Sequence, residues 1–271
     1  MKYIQLRLAE PDAEKREILI AGLAEEGFES FEEDAGYLLA YIQAESYTEQ
    51  VALAVRAMHA GTVHKAEIAQ QNWNAEWEAG FEPVHVDGFC TIRADFHAAD
   101  TNVPYEIIIT PKMSFGTGHH ATTRLMIQQM KNIDFAGKSV LDFGTGTGVL
   151  AILAKKLGAG EVLAIDNDEW SYENTLENIA ANKVNGIVVK KGSLELAEGR
   201  KFDIILANIN RHILLQYMVQ MHHVLPEHGM LLMSGILDAD EQIVLTEARH
   251  AGFKNTSVFA EGKWLCIVVA R

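Results

Sequence analysis

The sequence predicts an α/β protein: a Rossmann-like parallel sheet with a C-terminal antiparallel hairpin, preceded by a small ferredoxin-like α+β domain. Three observations predict this fold. Apolar strands alternate with helical segments in the second half, a glycine-rich turn follows one of those strands, and the first 70 residues have a pattern of their own. The expected organisation is therefore a domain at 1–70, a linker at 71–83 and a domain at 84–271.

The first 70 residues predict the element order βαββαβ, which is the ferredoxin-like unit. Strands are expected at Tyr3–Ala9, Glu29–Glu33, Tyr37–Gln43 and Thr62–Ala69, with helices running from Pro11 to Gly27 and from Tyr47 to His59. This unit hosts many functions, so substrate recognition and dimerisation both stay open.

The linker contains Trp73 and Trp77, whose spacing places both on one face of a helix. We expect them to dock the linker against a domain, because a base-stacking platform would need basic neighbours.

The second domain begins with strands at Val84–Phe96 and Tyr105–Thr110, after which strands and helices alternate. Strands are expected near 138–142, 161–165, 186–190, 202–207 and 229–234, and helices near 122–132, 148–158, 169–183, 211–224 and 239–252. The chain closes with Phe253–Phe259, a turn, and Trp264–Ala270. Such a hairpin is unlike a standard nicotinamide-binding domain.

A candidate ligand-binding loop is the turn Asp142-Phe143-Gly144-Thr145-Gly146-Thr147-Gly148, whose three glycines stand at alternate positions. Glycine lets backbone approach a ligand closely, and the turn follows a strand, where open α/β sheets bind ligands. The dinucleotide fingerprint requires a third glycine where Val149 stands, and a phosphate loop requires a following Gly-Lys pair. Asp142 would also repel phosphate, so it indicates a ligand that carries positive charge or offers donors.

Asp166 closes the next strand, about 20 residues after the turn, where an acidic residue accepts hydrogen bonds from ribose hydroxyls. Its alternative role is a helix N-cap, for which Asp168 competes. Ribose binding does not separate a nicotinamide dinucleotide from S-adenosyl-methionine.

Asn208 ends a buried strand at the same sheet edge. Its carboxamide oxygen can accept a hydrogen bond from an amine and orient the nitrogen lone pair, as methyl transfer requires. The alternative is helix capping, for which Asn210 is better placed.

A second glycine-rich segment runs from Phe115 to Thr123, ahead of a predicted helix. Thr122 and Thr123 either cap that helix or, together with Phe115, close over a ligand. His119 and His120 have no carboxylate or cysteine at ligand spacing, so no metal site is expected.

Composition excludes several classes of protein. The net charge of −14 disfavours direct nucleic-acid binding and suits a basic protein partner. No apolar run reaches the ~18 residues of a membrane span, and no signal peptide is expected, because the first residues show neither its apolar region nor its cleavage site. Cys90 and Cys266 stand far apart, which favours a reduced, cytoplasmic protein.

With these residues the chain resembles the PrmA family, bacterial class I methyltransferases of large-subunit ribosomal protein eleven. The resemblance covers essentially the whole chain, and its specific element is the segment Phe115–Thr123. The chain departs from the usual family pattern at Thr145, Thr147 and Asn210, and in the stretch Gly118-His119-His120-Ala121.

The resemblance implies binding of S-adenosyl-methionine by Thr123, Gly144, Asp166 and Asn208, with Gly146 near the methionine part. It also implies that the first domain recognises the ribosomal protein, and that lysine side chains and the α-amine are methylated. Asn208 is the expected catalytic residue, positioning the amine. Alternatives are a methyltransferase of another protein or a small molecule, a nicotinamide-dependent oxidoreductase, and an inactive module that binds the ribosomal protein.

Overall fold

The computed structural model describes residues 3–34, 36–68, 81–112 and 114–271. The chain divides into two compact units, residues 1–77 and 78–271. The predicted linker helix with Trp73 and Trp77 lies outside the described residues. Within the described ranges, no helix combines the length and the apolar character needed to cross a membrane.

The first unit has the predicted βαββαβ order. Its elements are β1 (Tyr3–Ala9), α1 (Ala13–Glu25), β2 (Ser30–Asp34), β3 (Tyr37–Gln43), α2 (Glu49–Met58) and β4 (Val63–Ile68). The antiparallel sheet has the order β2-β3-β1-β4, which is the ferredoxin-like arrangement. Alternation along β1 buries Ile4, Leu6 and Leu8 in a core that α1 and α2 cover.

The strands of the second unit are β5 (Val84–Val86), β6 (Cys90–Ala94), β7 (Tyr105–Ile109), β8 (Ser139–Phe143), β9 (Glu161–Asp166), β10 (Ile187–Lys191), β11 (Ile204–Asn208), β12 (Met230–Leu237), β13 (Lys254–Glu261) and β14 (Trp264–Ala270). Its helices are α3 (Ala121–Met130), α4 (Val149–Lys156), α5 (Glu169–Ala181), α6 (Arg211–Val224) and α7 (Glu241–Ala251), with 3₁₀ turns at Leu194–Ala197 and Asp238–Asp240.

The main sheet of this unit has seven strands in the order β10-β9-β8-β11-β12-β14-β13. Its first five strands are parallel, and β14 inserts antiparallel between β12 and β13. The predicted parallel sheet and terminal hairpin are confirmed. Because the carboxyl ends of parallel strands share one edge, the turns after β8, β9, β10, β11 and β12 converge there.

Strand alternation divides the core into two layers. One face of the sheet, including Val140 and Leu206, packs against α3, α4 and the small sheet β5-β6-β7. The other face, including Leu141 and Ile205, packs against α6 and α7. Burial on both faces explains why these strands are continuous apolar runs in the sequence.

The prediction of one strand at Val84–Phe96 was wrong. The segment forms two antiparallel strands, β5 and β6, joined by residues 87–89, in which Asp87 and Gly88 have φ angles of 49° and 60°. Phe89 N donates to Val86 O at 2.8 Å, so Asp87 and Gly88 are the central residues of a turn. An Asp-Gly pair with positive φ at both positions is the pair that hairpin turns of this kind prefer.

Three asparagines on successive turns of α5, ending at its C-cap, hold β7 and the residue that follows it. Asn182 pairs with the backbone of Ile108, and the Asn178 side chain accepts from Thr110 N (2.7 Å) and donates to Thr147 O (2.7 Å). Asn174 donates to Thr110 O at 3.1 Å. The helix therefore satisfies edge-strand backbone that has no strand partner on that side, and Asn178 connects it to the glycine turn.

Replacing Asn178 by alanine is expected to lower the free energy of unfolding by about 2–4 kcal/mol, because two buried backbone groups lose their partner. Leu176→Ala, on the exposed side of the same helix, is the matched control and should change it by less than about 0.5 kcal/mol. Urea denaturation measures both. Equal, small effects would contradict the bridging role of Asn178.

Candidate active site

The glycine turn between β8 and α4 uses all of its amide groups within the protein. The N–H groups of Gly144 and Thr145 donate to Ile165 O, Gly146 N to Asp166 Oδ2, Thr147 N to Phe115 O, and Gly148 N to Thr145 O, over 2.8–3.0 Å. A phosphate cradle needs free amide donors. The turn offers none, in agreement with the sequence argument against a phosphate loop.

The glycines are required by packing. Gly144 and Gly146 have φ angles of 78° and 56°, in the left-handed region that side chains avoid. A Cβ on Gly144 would overlap the Ile209 side chain, and one on Gly146 would overlap the carbonyl oxygen of Phe115. The turn is thus enclosed by the loop before α3 and by the residue after Asn208.

Asp142, at the end of β8, is fully buried. Its Oδ2 accepts hydrogen bonds from the Thr145 hydroxyl (2.6 Å) and from Ala151 N (3.1 Å), so it ties the turn to α4. Its Oδ1 accepts none from the described residues. Burial raises the pKa of Asp142 to about 7, against these two hydrogen bonds and with a smaller contribution from Asp166.

Asp166, at the end of β9, is hydrogen-bonded to the turn. Its Oδ2 accepts from Gly146 N at 2.9 Å, and its Oδ1 accepts from Asp168 N at 3.1 Å. Asp168, rather than Asp166, is the N-cap of α5, because its side chain accepts from Ser171 N. A carboxylate has about four acceptor positions, so Asp166 keeps capacity for two ribose hydroxyls.

Asn208, at the end of β11, is oriented by the first turn of α3. Its Nδ2 lies 3.4 Å from the hydroxyl oxygen of Thr123, which is buried. Its Oδ1 is buried and accepts no hydrogen bond from the described residues. Asn210 occupies the N-cap position of α6 without a side-chain cap bond.

The turn, Asp166 and Asn208 border one cavity of about 810 Å³ at the carboxyl edge of the sheet, a size typical of small-molecule sites. Of the residues predicted from sequence, Phe115, Gly144, Gly146, Asp166 and Asn208 line it. Thr123 does not; it stands behind Asn208, while its neighbour Thr122 reaches the wall. Cofactor contact by Thr123 stays a prediction.

The cavity wall also contains residues that sequence reasoning missed. Ser193 comes shortly after the end of β10, a position that could have indicated it. Gly235 lies within β12, where the pairing with β14 is irregular between Ser234 and Ile236. The Ser193 hydroxyl donates to the hydroxyl oxygen of Tyr217, in α6, at 2.9 Å. Trp264 lies in the terminal hairpin, and no local sequence pattern indicates that it would line the cavity at the carboxyl edge of the sheet.

The two histidines of the loop before α3 have structural contacts. His120 is the N-cap of α3, accepting from Thr122 N, and its ring packs against Phe115 and Trp264 at 5.4 and 4.6 Å between centroids. His119 packs against Phe81. Within the described ranges, no group of three His, Cys, Asp or Glu side chains is arranged to hold a metal ion.

The fold and this site define a class I S-adenosyl-methionine-dependent methyltransferase, which binds S-adenosyl-methionine as methyl donor. The seven-stranded order with an antiparallel strand next to the edge sets the class. The site fits the cofactor, because it offers acceptors at Asp166, no free amides at the turn, and a cavity of suitable size. The profile of the family described as ribosomal protein L11 methyltransferase (PrmA) matches residues 7–271, and the chain belongs to that family.

Individual relatives agree with the family assignment. The chain is 42% identical to a ribosomal protein L11 methyltransferase of Porphyromonas gingivalis, over 93% of this chain and 89% of the relative. It is 38% identical to one of Bacteroides fragilis, over 98% and 99%. A crystal structure of a ribosomal protein L11 methylase from Lactobacillus delbrueckii aligns with a TM-score of 0.65, at 30% identity, covering 70% of this chain and 99% of that one. Membership decides against the nicotinamide-dependent alternative.

The raised pKa of Asp142 has a consequence for stability. The folded carboxyl group keeps its proton up to about pH 7, whereas an unfolded one loses it near its ordinary value of 3.8. The free energy of unfolding contributed by this group is therefore fully present below about pH 4 and is lost as pH rises to about 7, with a slope of at most about 1.4 kcal/mol per pH unit.

Asp142→Asn removes the titrating group and should flatten this part of the profile. Urea midpoints of the ligand-free wild type and the variant, measured from pH 4 to pH 8, provide the comparison. Parallel profiles of the two proteins would contradict a raised pKa at Asp142.

Proposed function

We propose that the protein transfers methyl groups from S-adenosyl-methionine to lysine side chains and the α-amine of ribosomal protein L11. Family membership and the names of the relatives support the substrate. The observation that carries the chemistry is Asn208, which lines the cavity and whose buried Oδ1 accepts no hydrogen bond from the described residues. A buried acceptor without a partner costs about 1–3 kcal/mol, and an amine N–H of the substrate would relieve that cost.

Asp166 and the turn residues Gly144 and Gly146 would hold the cofactor, which supplies a methyl group on a positively charged sulfur. Asp166 would accept from the ribose hydroxyls, since neither of its backbone contacts uses all of its acceptor positions. Phe115, half exposed at the cavity rim, would cover the site and exclude water.

The substrate amine must be neutral to attack, and burial in the cavity lowers the pKa of a lysine. Asn208 would accept one N–H and so direct the nitrogen lone pair, as a near-attack geometry requires. Asn208 Nδ2 donates to the Thr123 hydroxyl at 3.4 Å, so Oδ1 is the carboxamide atom assigned to the amine. We therefore assign Thr123 to orienting Asn208.

The first domain, taken as residues 1–70 and joined by the linker 71–83 to the catalytic domain 84–271, would recognise the ribosomal protein. The net charge of −14 suits a basic protein substrate by electrostatic steering, with no direct contact to nucleic acid. The proposed location is the cytoplasm, where ribosomal proteins are made. Another protein or a small molecule stays the alternative substrate.

Asn208→Ala should reduce the rate of radiolabelled methyl transfer to purified ribosomal protein L11 by about 100-fold, because the amine loses its orientation. Affinity for S-adenosyl-methionine, measured by calorimetry, should change by less than about threefold. Asn210→Ala is the matched control on the same cavity wall, since the Asn210 side chain makes no cap bond and has no role in orienting the amine. Full methylation by Asn208→Ala would remove the role given to Asn208, and no transfer by the wild type would remove the proposed substrate.

Deletion of residues 1–70 separates the protein substrate from the small-molecule alternative. Methylation of ribosomal protein L11 should be lost, while calorimetric affinity for S-adenosyl-methionine is retained because the cavity lies wholly in the second unit. Retained cofactor affinity also shows that the remaining chain is folded. Unchanged methylation would contradict substrate recognition by the first domain.

A further inference from the structure

We infer that Thr147 is a positioning residue: it latches the loop Ser114–Gly118 onto the glycine turn and thereby sets Phe115 against the cofactor cavity. The inference rests on the role of Phe115 under the proposed function. Thr147 itself is fully buried and is not part of the cavity wall, so it acts through the loop.

Two hydrogen bonds form the latch. Thr147 N donates to Phe115 O at 2.9 Å, and the Thr147 hydroxyl donates to Gly116 O at 2.8 Å. The first bond uses backbone that any residue would supply. The second needs a hydroxyl, so the residue type at position 147 controls whether both carbonyls of the loop are held.

The two segments approach too closely for side chains to intervene. A Cβ on Gly146 would overlap Phe115 O, and a Cβ on Gly116 would lie 2.8 Å from the Thr147 hydroxyl oxygen. Gly116 also has a φ of 106°, which side chains rarely adopt. The loop can therefore pack against the turn in only one close arrangement, which requires Gly116 in the loop and Gly146 in the turn.

The turn is anchored from its other face, which makes the loop the part that the latch positions. The Thr175 hydroxyl donates to Gly146 O at 2.8 Å, and Asn178 Nδ2 donates to Thr147 O at 2.7 Å. Both donors come from α5, a helix packed in the unit. Phe115 is in contrast 52% exposed, so its place at the rim depends on the backbone bonds to the turn.

The test compares Thr147→Val, which keeps the shape and removes the hydroxyl, with Thr147→Ser, which keeps the hydroxyl. Valine should weaken calorimetric binding of S-adenosyl-methionine about tenfold, since Gly116 O loses a buried donor and the loop is no longer held in that arrangement. Serine should stay within about threefold of the wild type. The rate of methyl transfer at saturating cofactor should change less than the affinity in both variants.

A double-mutant cycle with Phe115→Ala shows whether the effect passes through Phe115. The alanine should weaken cofactor binding clearly in the wild type and by less than about twofold in Thr147→Val, because contacting residues couple. Gly116→Ala displaces the same loop from its own side and should weaken binding similarly, which gives a second test if Thr147→Val does not fold.

Three results would each overturn the latch. The first is wild-type affinity for S-adenosyl-methionine in folded Thr147→Val or Gly116→Ala. The others are equal loss of affinity in the valine and serine variants, and additive effects in the double-mutant cycle. Calorimetry requires no ribosomal protein. A wild type that binds the cofactor but does not methylate ribosomal protein L11 would therefore refute the proposed function and leave the latch standing.

Discussion

The site depends on one constraint: the amide groups of the turn between β8 and α4 are all hydrogen-bonded within the protein. All five amides from Gly144 to Gly148 are used internally, and the glycines at 144 and 146 leave room for Ile209 and the Phe115 carbonyl. The turn therefore brings Ile209 and the loop that contains Phe115 together. It does not supply donors to a ligand, so recognition passes to side chains at the ends of adjacent strands.

Acidic side chains around the turn decide which charge the site accepts. Asp166 faces the turn, and its carboxylate disfavours a second negative charge nearby. Asp142 is buried below the turn, where burial raises its pKa to about 7 and disfavours any charge. An anionic phosphate would meet the Asp166 carboxylate without a compensating amide. A ligand with a positive charge and hydroxyl donors is favoured, which agrees with a sulfonium cofactor carrying ribose.

Local patterns in the sequence predicted the parts of the site that lie at strand ends. The turn, Asp166 and Asn208 each follow an apolar run, and parallel strands bring such positions to one edge whatever the helices between them do. The split of Val84–Phe96 was also present in the sequence, as the pair Asp87-Gly88. By contrast, the placement of Thr123 behind Asn208 and of Trp264 on the cavity wall joins segments far apart in the chain. Such contacts depend on how α3 and the terminal hairpin pack, which periodicity does not specify.

The most direct measurement of the central claim is a crystal structure of the protein with S-adenosyl-homocysteine, the demethylated cofactor. The account predicts ribose hydroxyls on the Asp166 carboxylate, while the five amides of the turn keep their internal partners. A ligand hydrogen-bonded to amides of residues 144–148, or one bound with Asp166 free of ribose, would contradict it.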